Sequence, residues 1–246
     1  MTKFLSGKVA VVTGGGRGIG RATALKLAAA GATPVVAARG EAELLCVVDE
    51  IESLGGRALA QVVDVTRSAE VNAFAEELAQ RFGQVDILVN SAGVALIAPL
   101  PATTEEEWDQ VIDTNLKGTF LVTRALLGLL QSAGSGLVVN IASKVALSGH
   151  ASVSAYTAAK AGVVGFTRSL AKELIPDHIR LVAICPGAVD TPMRWDATPD
   201  MDPGIVLSAG AVAETVMFLA RIGKDVTMGE IVIQNSNYDE DLVSVD

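Results

Sequence analysis

The residues Lys8-Val-Ala-Val-Val-Thr-Gly-Gly-Gly-Arg-Gly-Ile-Gly20 join an apolar, β-branched run to a glycine-rich turn. Such a run is typical of a buried parallel strand. The alanine- and leucine-rich residues 20–30 that follow end at Gly31 and predict a helix. A glycine turn between a strand and a helix lets the backbone turn tightly and directs the helix N-terminus toward a phosphate. We therefore predict that this turn holds the pyrophosphate of a dinucleotide.

The glycine spacing follows a T-G-x-x-x-G-x-G variant rather than the common G-x-G-x-x-G pattern. Glycine also serves ordinary turns, so the loop alone is weak evidence. Its position directly after the first strand is what favours cofactor binding. The predicted cofactor contacts in the loop are Gly14, Gly16, Arg17, Gly18, Ile19 and Gly20.

Short apolar runs alternate with helical patterns along the rest of the chain. Apolar runs this continuous, separated by helices, indicate a parallel sheet covered on both faces. The sequence shows no repeat, no low-complexity linker and no second core, so we predict one α/β domain over residues 1–246. This domain is a doubly wound Rossmann fold of three layers with a seven-stranded parallel sheet. Beyond the first strand, the predicted strands are 33–38, 58–64, 86–90, 136–142, 179–185 and 230–234, and the predicted helices are 41–54, 69–82, 104–131, 154–174 and 211–222.

Composition excludes several classes of function. Half of the 246 residues are hydrophobic, and the net charge of −9 disfavours nonspecific binding to nucleic acid or to an anionic membrane. We see no signal-peptide pattern and no apolar run that would span a bilayer, and we predict a cytoplasmic protein. Cys46 and Cys185 lie in apolar runs and are predicted to be buried free thiols. The two histidines form no cluster with ligand spacing, so we predict no metal site.

The choice of dinucleotide depends on the end of the second strand. An acidic residue there would bond the ribose hydroxyls, whereas a basic residue would accommodate a 2′-phosphate. The strand ends at Arg39, with Arg17 in the glycine loop and Glu41 expected to begin the next helix. We therefore favour NADP(H) over NAD(H). The alternative is that Arg39 is a solvated loop charge.

Tyr156 and Lys160 lie four residues apart in a predicted helix and so share one face. A free tyrosine has a pKa of about 10, so proton exchange near neutrality requires a lowering by roughly 3, or about 4 kcal/mol. One positive charge at about 4 Å supplies about 4 kcal/mol at an effective dielectric of about 20. We therefore predict that Lys160 makes Tyr156 a general acid–base. The alternative is an amphipathic helix with an incidental tyrosine and lysine.

Ser143 ends the fifth strand, at the edge where α/β sheets bind ligands. With it, the assembled pattern resembles the short-chain dehydrogenase/reductase family from Lys8 to about Ile233. The segments that carry the resemblance are the glycine loop, Asp64-Val65, Asn90-Ser-Ala-Gly93, Asn115 in Thr-Asn-Leu-Lys-Gly, Ser143, Tyr156, Lys160, and Pro186-Gly187 followed by Val189 and Thr191.

The resemblance implies catalytic roles for four residues. Ser143 would bond the substrate carbonyl oxygen, and Tyr156 would transfer the proton. Lys160 would lower the tyrosine pKa and bind the nicotinamide ribose. Asn115 would hold a water of a proton relay, and asparagine suits a local distortion of its helix; a tolerated surface residue is the alternative. The implied cofactor contacts beyond the loop and Arg39 are Asp64, Val65, Asn90, Ala92, Gly93, Tyr156, Lys160, Pro186, Gly187, Val189 and Thr191.

The implied function is NADP(H)-dependent interconversion of a ketone and a secondary alcohol, with the closest likeness to 3-oxoacyl-carrier-protein reductases and a small-ketone reductase equally admissible. The alternatives are an NAD(H)-dependent alcohol dehydrogenase and a catalytically silent dinucleotide-binding sensor. The family also implies a homotetramer or homodimer. The small residues Ala155, Ala159 and Gly162, with Val163, predict a close helix–helix approach between subunits.

Three features depart from the family pattern. Lys144 follows the serine, where it would contact an acidic substrate or turn to solvent. The substrate loop, about 188–208, is short and proline-rich, with Met193 and Trp195 as candidate lid contacts or packing residues. The last strand lacks the usual aspartate and paired glycines, and the tail 238–246 is acidic, so it is either solvated or packed on a neighbouring subunit. The predicted substrate walls are the mostly apolar residues 94–100 and 145–147, together with His150.

Overall fold

The central sheet contains the seven predicted strands and is entirely parallel. The computed structural model describes residues 3–237. Each strand is short and apolar, as expected when both faces of a sheet are covered. The strands are β1 (Val9–Thr13), β2 (Thr33–Ala38), β3 (Leu59–Val62), β4 (Ile87–Asn90), β5 (Leu137–Ile141), β6 (Arg180–Pro186) and β9 (Glu230–Ile233), and the short strands β7 (Val189–Asp190) and β8 (Leu207–Ser208) pair separately.

The strand order is β3-β2-β1-β4-β5-β6-β9. Because the chain winds outward from β1 in both directions, the order reverses between β1 and β4. In open α/β sheets the ligand crevice lies outside the carboxyl ends of the strands at this point. The predicted doubly wound fold is therefore confirmed, and it places the ligand site beside Thr13 and Asn90, which are opposite each other at the ends of these strands.

Helices cover both faces of the sheet and give the predicted three layers. Alternate residues of β1 point to opposite faces. The helices are α1 (Gly18–Ala29), α2 (Glu41–Ser53), α3 (Ser68–Phe82), α4 (Glu105–Ile112), α5 (Gly118–Ser132), α6 (Val145–Ser148), α7 (Ser154–Glu173), α8 (Pro192–Ala197) and α9 (Ala209–Arg221). Ala10 and Val12 pack with α1, α2 and α9, whereas Val9 and Val11 pack with α3 and α5.

The predicted continuous helix over 104–131 is wrong in its middle. It begins as expected, because Thr104 and Glu107 form a reciprocal capping box. After Ile112 it widens into a π-helical segment, Asp113–Lys117, before α5 continues. Such bulges often occur at functional sites. Asn115 lies in this segment, which confirms the local distortion expected from its helix propensity.

Two predictions about packing are wrong. Cys46 is exposed, because α2 directs Leu44 and Val47 inward and leaves Cys46 on the outer face; Cys185 is buried, and both thiols are free. The small face of α7 is also not free for a subunit contact. Ala155 and Ala159 are buried within this chain against Val111 of α4, and Gly162 lies against Leu116 of the π-helical segment.

The substrate loop is ordered around α8. Thr191 caps this helix with its side chain, and the Trp195 indole donates a hydrogen bond to Asp190 over 2.7 Å. The two short strands β7 and β8 bracket the loop. The acidic tail, including Tyr238, lies outside the described residues, so the alternatives for it stay open. Within residues 3–237, no helix is both long and apolar enough to cross a membrane.

Candidate active site

A cleft opens at the carboxyl ends of β1, β2, β3 and β4. Its walls come from the loops that follow these strands and from the start of the substrate loop. Most of the predicted cofactor residues are among the lining residues, which are Gly14, Gly16, Arg17, Gly18, Ile19, Ala38, Arg39, Gly40, Glu43, Val63, Asp64, Val65, Ser91, Ala92, Gly93, Val94, Thr114, Thr191, Pro192 and Met193.

The glycine loop forms a cradle with no room for side chains. Gly14 has a φ of 64°, and a Cβ atom there would lie 2.8 Å from the Ser91 carbonyl oxygen. A Cβ atom on Gly20 would lie 2.2 Å from the Gly14 carbonyl oxygen. The Thr13 hydroxyl accepts hydrogen bonds from the backbone N–H groups of Ser91 and Ala92 over 3.1 and 3.2 Å. The loops after β1 and β4 are thus joined into one floor, which fits a dinucleotide pyrophosphate.

Charged side chains gather at the end of the cleft beyond β2 and β3. Although burial alone would raise the pKa of the Asp64 carboxyl, hydrogen bonds from Thr66 and the charges of Arg39 and Arg67 hold it below its ordinary value. Asp64 therefore stays ionised. Arg39 lines the cleft as predicted, together with Arg17.

Glu43 also lines this end, and the sequence did not reveal it as a site residue. Its carboxylate lies 4.0 Å from the Arg17 guanidinium. The signal that was available is its place in the first turn of α2, two residues beyond Glu41. Helical geometry turns Glu43 toward the glycine loop, whereas Glu41 stays exposed and does not line the cleft.

The four predicted catalytic residues lie beside the cleft. Ser143 follows β5, Tyr156 and Lys160 lie in the first two turns of α7, and Asn115 lies in the π-helical segment. Lys160 is 5% exposed, and its ammonium donates a hydrogen bond to the Ile141 carbonyl over 2.8 Å. The same ammonium lies 5.7 Å from the centre of the Tyr156 ring. Burial lowers the pKa of Lys160 to about 8. The Ser143 side chain lies near Tyr156 and acts to lower the pKa of the Tyr156 hydroxyl.

Asn115 presents a buried oxygen with no hydrogen-bond partner among the described residues. Its amide N–H₂ donates to the carbonyls of Val94 and Val111, both over 2.9 Å, which fixes the orientation of the side chain. A Cβ atom on Gly93 would lie 2.6 Å from the Asn115 oxygen and 3.6 Å from the Lys160 ammonium. Both polar atoms therefore face the same position beside Gly93, at the wall of the cleft.

The predicted lowering of the Tyr156 pKa is not found in the protein alone. Burial raises the pKa of this hydroxyl above its ordinary value, while the Arg194 charge and the Ser143 hydrogen bond act in the opposite direction. The simple estimate from one lysine charge omitted the cost of removing the phenolate from water. Arg194, on α8, is a second residue that the sequence did not identify.

Seven predicted cofactor residues do not line the cleft, namely Gly20, Asn90, Tyr156, Lys160, Pro186, Gly187 and Val189. Asn90 and Gly187 instead join neighbouring elements. The Asn90 amide donates to Asn140 over 2.8 Å and to Thr123 over 3.0 Å, which ties β4 to β5 and α5. The Gly187 N–H donates to the Ile233 carbonyl over 2.8 Å.

The residues that depart from the family pattern also have defined places. The Lys144 ammonium donates to the Gln234 side chain over 2.7 Å and so joins the turn after β5 to the end of β9. Met193 lines the cleft, whereas Trp195 packs through its bond to Asp190. Of the predicted substrate walls, Val94 lines the cleft, and His150 is exposed. In residues 3–237, no three acidic, cysteine or histidine side chains come together as a metal site would require.

The family model described as short chain dehydrogenase matches residues 8–202. A 3-oxoacyl-[acyl-carrier-protein] reductase from Thermotoga maritima is 36% identical over 93% of this chain and 96% of the relative. A (2S)-[(R)-hydroxy(phenyl)methyl]succinyl-CoA dehydrogenase subunit from Thauera aromatica is 37% identical over 93% of this chain and 95% of the relative.

Two solved structures of relatives have the same fold. An alcohol dehydrogenase from Thermococcus sibiricus, complexed with 5-hydroxy-NADP, superposes with a TM-score of 0.88 at 30% identity, covering 94% of this chain and 98% of that one. A 3-ketoacyl-(acyl-carrier-protein) reductase from Brucella melitensis, complexed with NADH, gives a TM-score of 0.88 at 32% identity with the same coverage. The resemblance drawn from the sequence motifs is thereby confirmed.

Proposed function

Because the chain belongs to the short-chain dehydrogenase/reductase family of NAD(P)-dependent oxidoreductases, we propose that it interconverts a ketone and a secondary alcohol with Tyr156 as the general acid–base. The observation that carries this proposal is that the unpartnered Asn115 oxygen and the Lys160 ammonium face the same position beside Gly93. A dinucleotide-binding sensor would not require this buried polar constellation beside its cleft.

The residues that would hold the dinucleotide are those of the cradle and of the adenosine end. The glycine loop and the N-terminus of α1 would bind the pyrophosphate, because both the close backbone approach and the helix dipole favour an anion there. Asp64 and Val65 would lie against the adenine. When bound, the dinucleotide supplies or accepts the hydride.

The side chains beside the cleft would transfer the proton and bind the substrate oxygen. Ser143 would donate a hydrogen bond to the carbonyl oxygen and stabilise the negative charge that develops there. The Tyr156 hydroxyl would deliver its proton to the same oxygen in reduction and take it back in oxidation. A raised tyrosine pKa in the protein alone keeps this hydroxyl protonated before reduction.

Lys160 and Asn115 would restore the proton to Tyr156. A buried oxygen without a partner requires a donor, and a water donating to the Asn115 oxygen would also be in reach of Lys160. Since the Lys160 pKa is about 8, the ammonium gives up a proton more readily than an exposed lysine. This arrangement provides a route for protons from solvent to the hydroxyl.

A Tyr156→Phe variant tests the role of the hydroxyl. We expect it to bind dinucleotide as the wild type does, whereas turnover of a ketone panel falls at least about 100-fold, the usual contribution of a positioned acid. Thr157→Val, which removes the neighbouring buried hydroxyl of α7, is the control and should keep its turnover. Ketone reduction at the wild-type rate by Tyr156→Phe would refute the proposal.

For the cofactor we propose NADP(H) in preference to NAD(H). Arg17 and Arg39 both line the end of the cleft where the adenosine ribose binds in this fold. Relatives described with 5-hydroxy-NADP and with NADH both occur, so the preference rests on these two side chains.

Two of the named relatives are described as acting on acyl-carrier-protein and CoA substrates, and another is an alcohol dehydrogenase. A 3-oxoacyl thioester or a small ketone is therefore the proposed substrate class. A homotetrameric state and a cytoplasmic location are proposed by analogy with the family.

A further inference from the structure

Glu43 occupies a position that the proposed cofactor preference does not explain. It is one of two carboxylates that line the cleft within residues 3–237, and the other, Asp64, is engaged by the backbone N–H and hydroxyl of Thr66 over 2.9 and 2.8 Å. Gly40 precedes α2, so Glu43 lies in the first turn of this helix. Its carboxylate is thus fixed on the element that follows β2, at the adenosine end.

The Glu43 side chain folds back toward the glycine loop. One of its carboxylate oxygens would lie 3.2 Å from a Cβ atom on Gly40 and 3.4 Å from one on Gly16, so it sits between the two loops. The other lies 4.0 Å from the Arg17 guanidinium. Both side chains are about half exposed, so the pair is free to separate when a stronger anion arrives.

With this placement, the Glu43 carboxylate and a 2′-phosphate would compete for the Arg17 guanidinium. A 2′-phosphate that binds Arg17 and Arg39 would take the Arg17 guanidinium from the Glu43 carboxylate, at the cost of the attraction within that pair. A ribose 2′-hydroxyl is neutral and can donate a hydrogen bond to the Glu43 carboxylate without such a cost. The same side chain therefore acts differently on the two forms of the cofactor.

We propose that Glu43 limits the preference for NADP(H) by competing with the 2′-phosphate for Arg17, so that the protein also accepts NAD(H). This inference rests on the proposed dinucleotide function of the cleft. It assigns Glu43 as a specificity-determining residue that opposes Arg39.

Binding of NADP⁺ and NAD⁺, which differ by the 2′-phosphate, tests the proposal by isothermal titration calorimetry. We expect Glu43→Gln to bind NADP⁺ about three- to tenfold more tightly than the wild type, as for a weak exposed charge pair. NAD⁺ should bind as before or more weakly, because the uncharged amide oxygen of glutamine is a weaker acceptor for the ribose hydroxyl than a carboxylate. Glu41→Gln is the matched control, since Glu41 lies in the same helical turn, is exposed and does not line the cleft.

The competition itself is tested in an Arg17→Met background, where Arg39 remains to hold the phosphate. There the gain from Glu43→Gln should fall to less than about twofold, because the shared cation is gone. An NADP⁺ affinity in Glu43→Gln that equals that of Glu41→Gln, or a gain that persists undiminished in Arg17→Met, would overturn the inference. A wild-type protein that binds neither dinucleotide would instead contradict the proposed function.

Discussion

Burial controls the two titratable side chains at the centre of the site. The pKa of Tyr156 is raised and that of Lys160 is lowered, to about 8, and in both cases the first cause is removal from water. Both shifts favour the neutral form of the group. The protein alone therefore holds a neutral phenol beside an amine that loses its proton within reach of neutral pH. This is the state that the proposed proton transfer from Tyr156 to a carbonyl oxygen requires.

The buried lysine makes folding stability depend on pH. The unfolded chain keeps the Lys160 proton up to about pH 10.5, whereas the folded protein releases it near pH 8. Between these values the unfolded state binds more protons, so the free energy of unfolding rises with pH. We expect the wild type to gain about 2 kcal/mol relative to Lys160→Met between pH 7 and pH 9.5.

Urea unfolding of both proteins at the two pH values, without dinucleotide, measures this gain. Lys172→Met, which removes an exposed lysine from the same helix, should behave as the wild type does. An equal change in stability with pH in the wild type and in Lys160→Met would mean that Lys160 keeps an ordinary pKa in the folded protein.

Arg39 is predicted to determine the preference for the 2′-phosphate. In Arg39→Asp we expect NADP(H) to bind at least about tenfold more weakly, since a charge-assisted hydrogen bond contributes about 1.5–3 kcal/mol. NAD(H) should bind as well as before or better, because an acidic residue at this place accepts from the ribose. The measurement is the ratio of the dissociation constants for NADP(H) and NAD(H). Arg57→Asp, at an exposed arginine, is the control. If that ratio matched the wild-type value, Arg39 would be a solvated loop charge.

At the scale of elements, the glycine loop depends on close backbone contacts that leave no space for a side chain. The distance of 2.2 Å between a Cβ atom on Gly20 and the Gly14 carbonyl means that an alanine would force the start of α1 away from the end of β1. Both partners are backbone, so neither can rotate aside. The shape of the cradle and the packing of α1 on the sheet are therefore set by the same residue.

Gly20→Ala is expected to damage binding and stability together. We expect a loss of about 1–3 kcal/mol in the free energy of unfolding, as for an overpacked core, and a large loss of dinucleotide affinity. Gly128→Ala in α5, where a Cβ atom meets nothing within 4 Å, is the matched control and should be neutral or slightly stabilising. Thermal unfolding and dinucleotide titration compare the two. Wild-type stability in Gly20→Ala would show that the loop can relax.

The sequence predicted the elements well where local pattern determines them. The strands and the glycine loop follow from apolar runs and spacing, and the capping box at Thr104 fixed the start of α4. A distortion at Asn115 was expected, but its π-helical form was not, because the residues continue a helical pattern and the bond from Asn115 to the Val94 carbonyl joins segments distant in sequence. Glu43 and Arg194 were missed for the same reason, since their place at the site depends on how α2 and α8 pack.

At the scale of the whole molecule, the sheet order brings distant segments to one edge. The loop after β1, the loop after β4 and the substrate loop are far apart in sequence, yet all three line the cleft. Buried polar side chains brace the strands that carry them. Asn90 bonds Asn140, and Asn140 donates in turn to Thr167 of α7 over 2.8 Å, so β4, β5 and the helix of Tyr156 are held together. The helix that carries Tyr156 is therefore positioned from inside the core.

The oligomeric state is a property of the whole molecule, and for it we make a prediction from the surface of the single chain. With the small residues of α7 buried within the chain, the surface that remains on α5 and α7 is aromatic. Phe120 is 39% exposed, packs edge-to-face on Phe166 at 6.3 Å, and carries the Arg124 guanidinium 5.1 Å from its ring. Aromatic residues and arginine are enriched in the cores of protein interfaces.

We expect light scattering at micromolar concentration to show a homotetramer for the wild type. Phe120→Asp should give a smaller species, because a charge would be buried in the contact between subunits. Leu54→Asp, at a more exposed apolar residue on another helix end, should leave the mass unchanged. A wild-type monomer would refute the assembly. A tetramer in Phe120→Asp would place the subunit contact elsewhere, because a buried, unpaired aspartate on α5 could not be accommodated without loss of association.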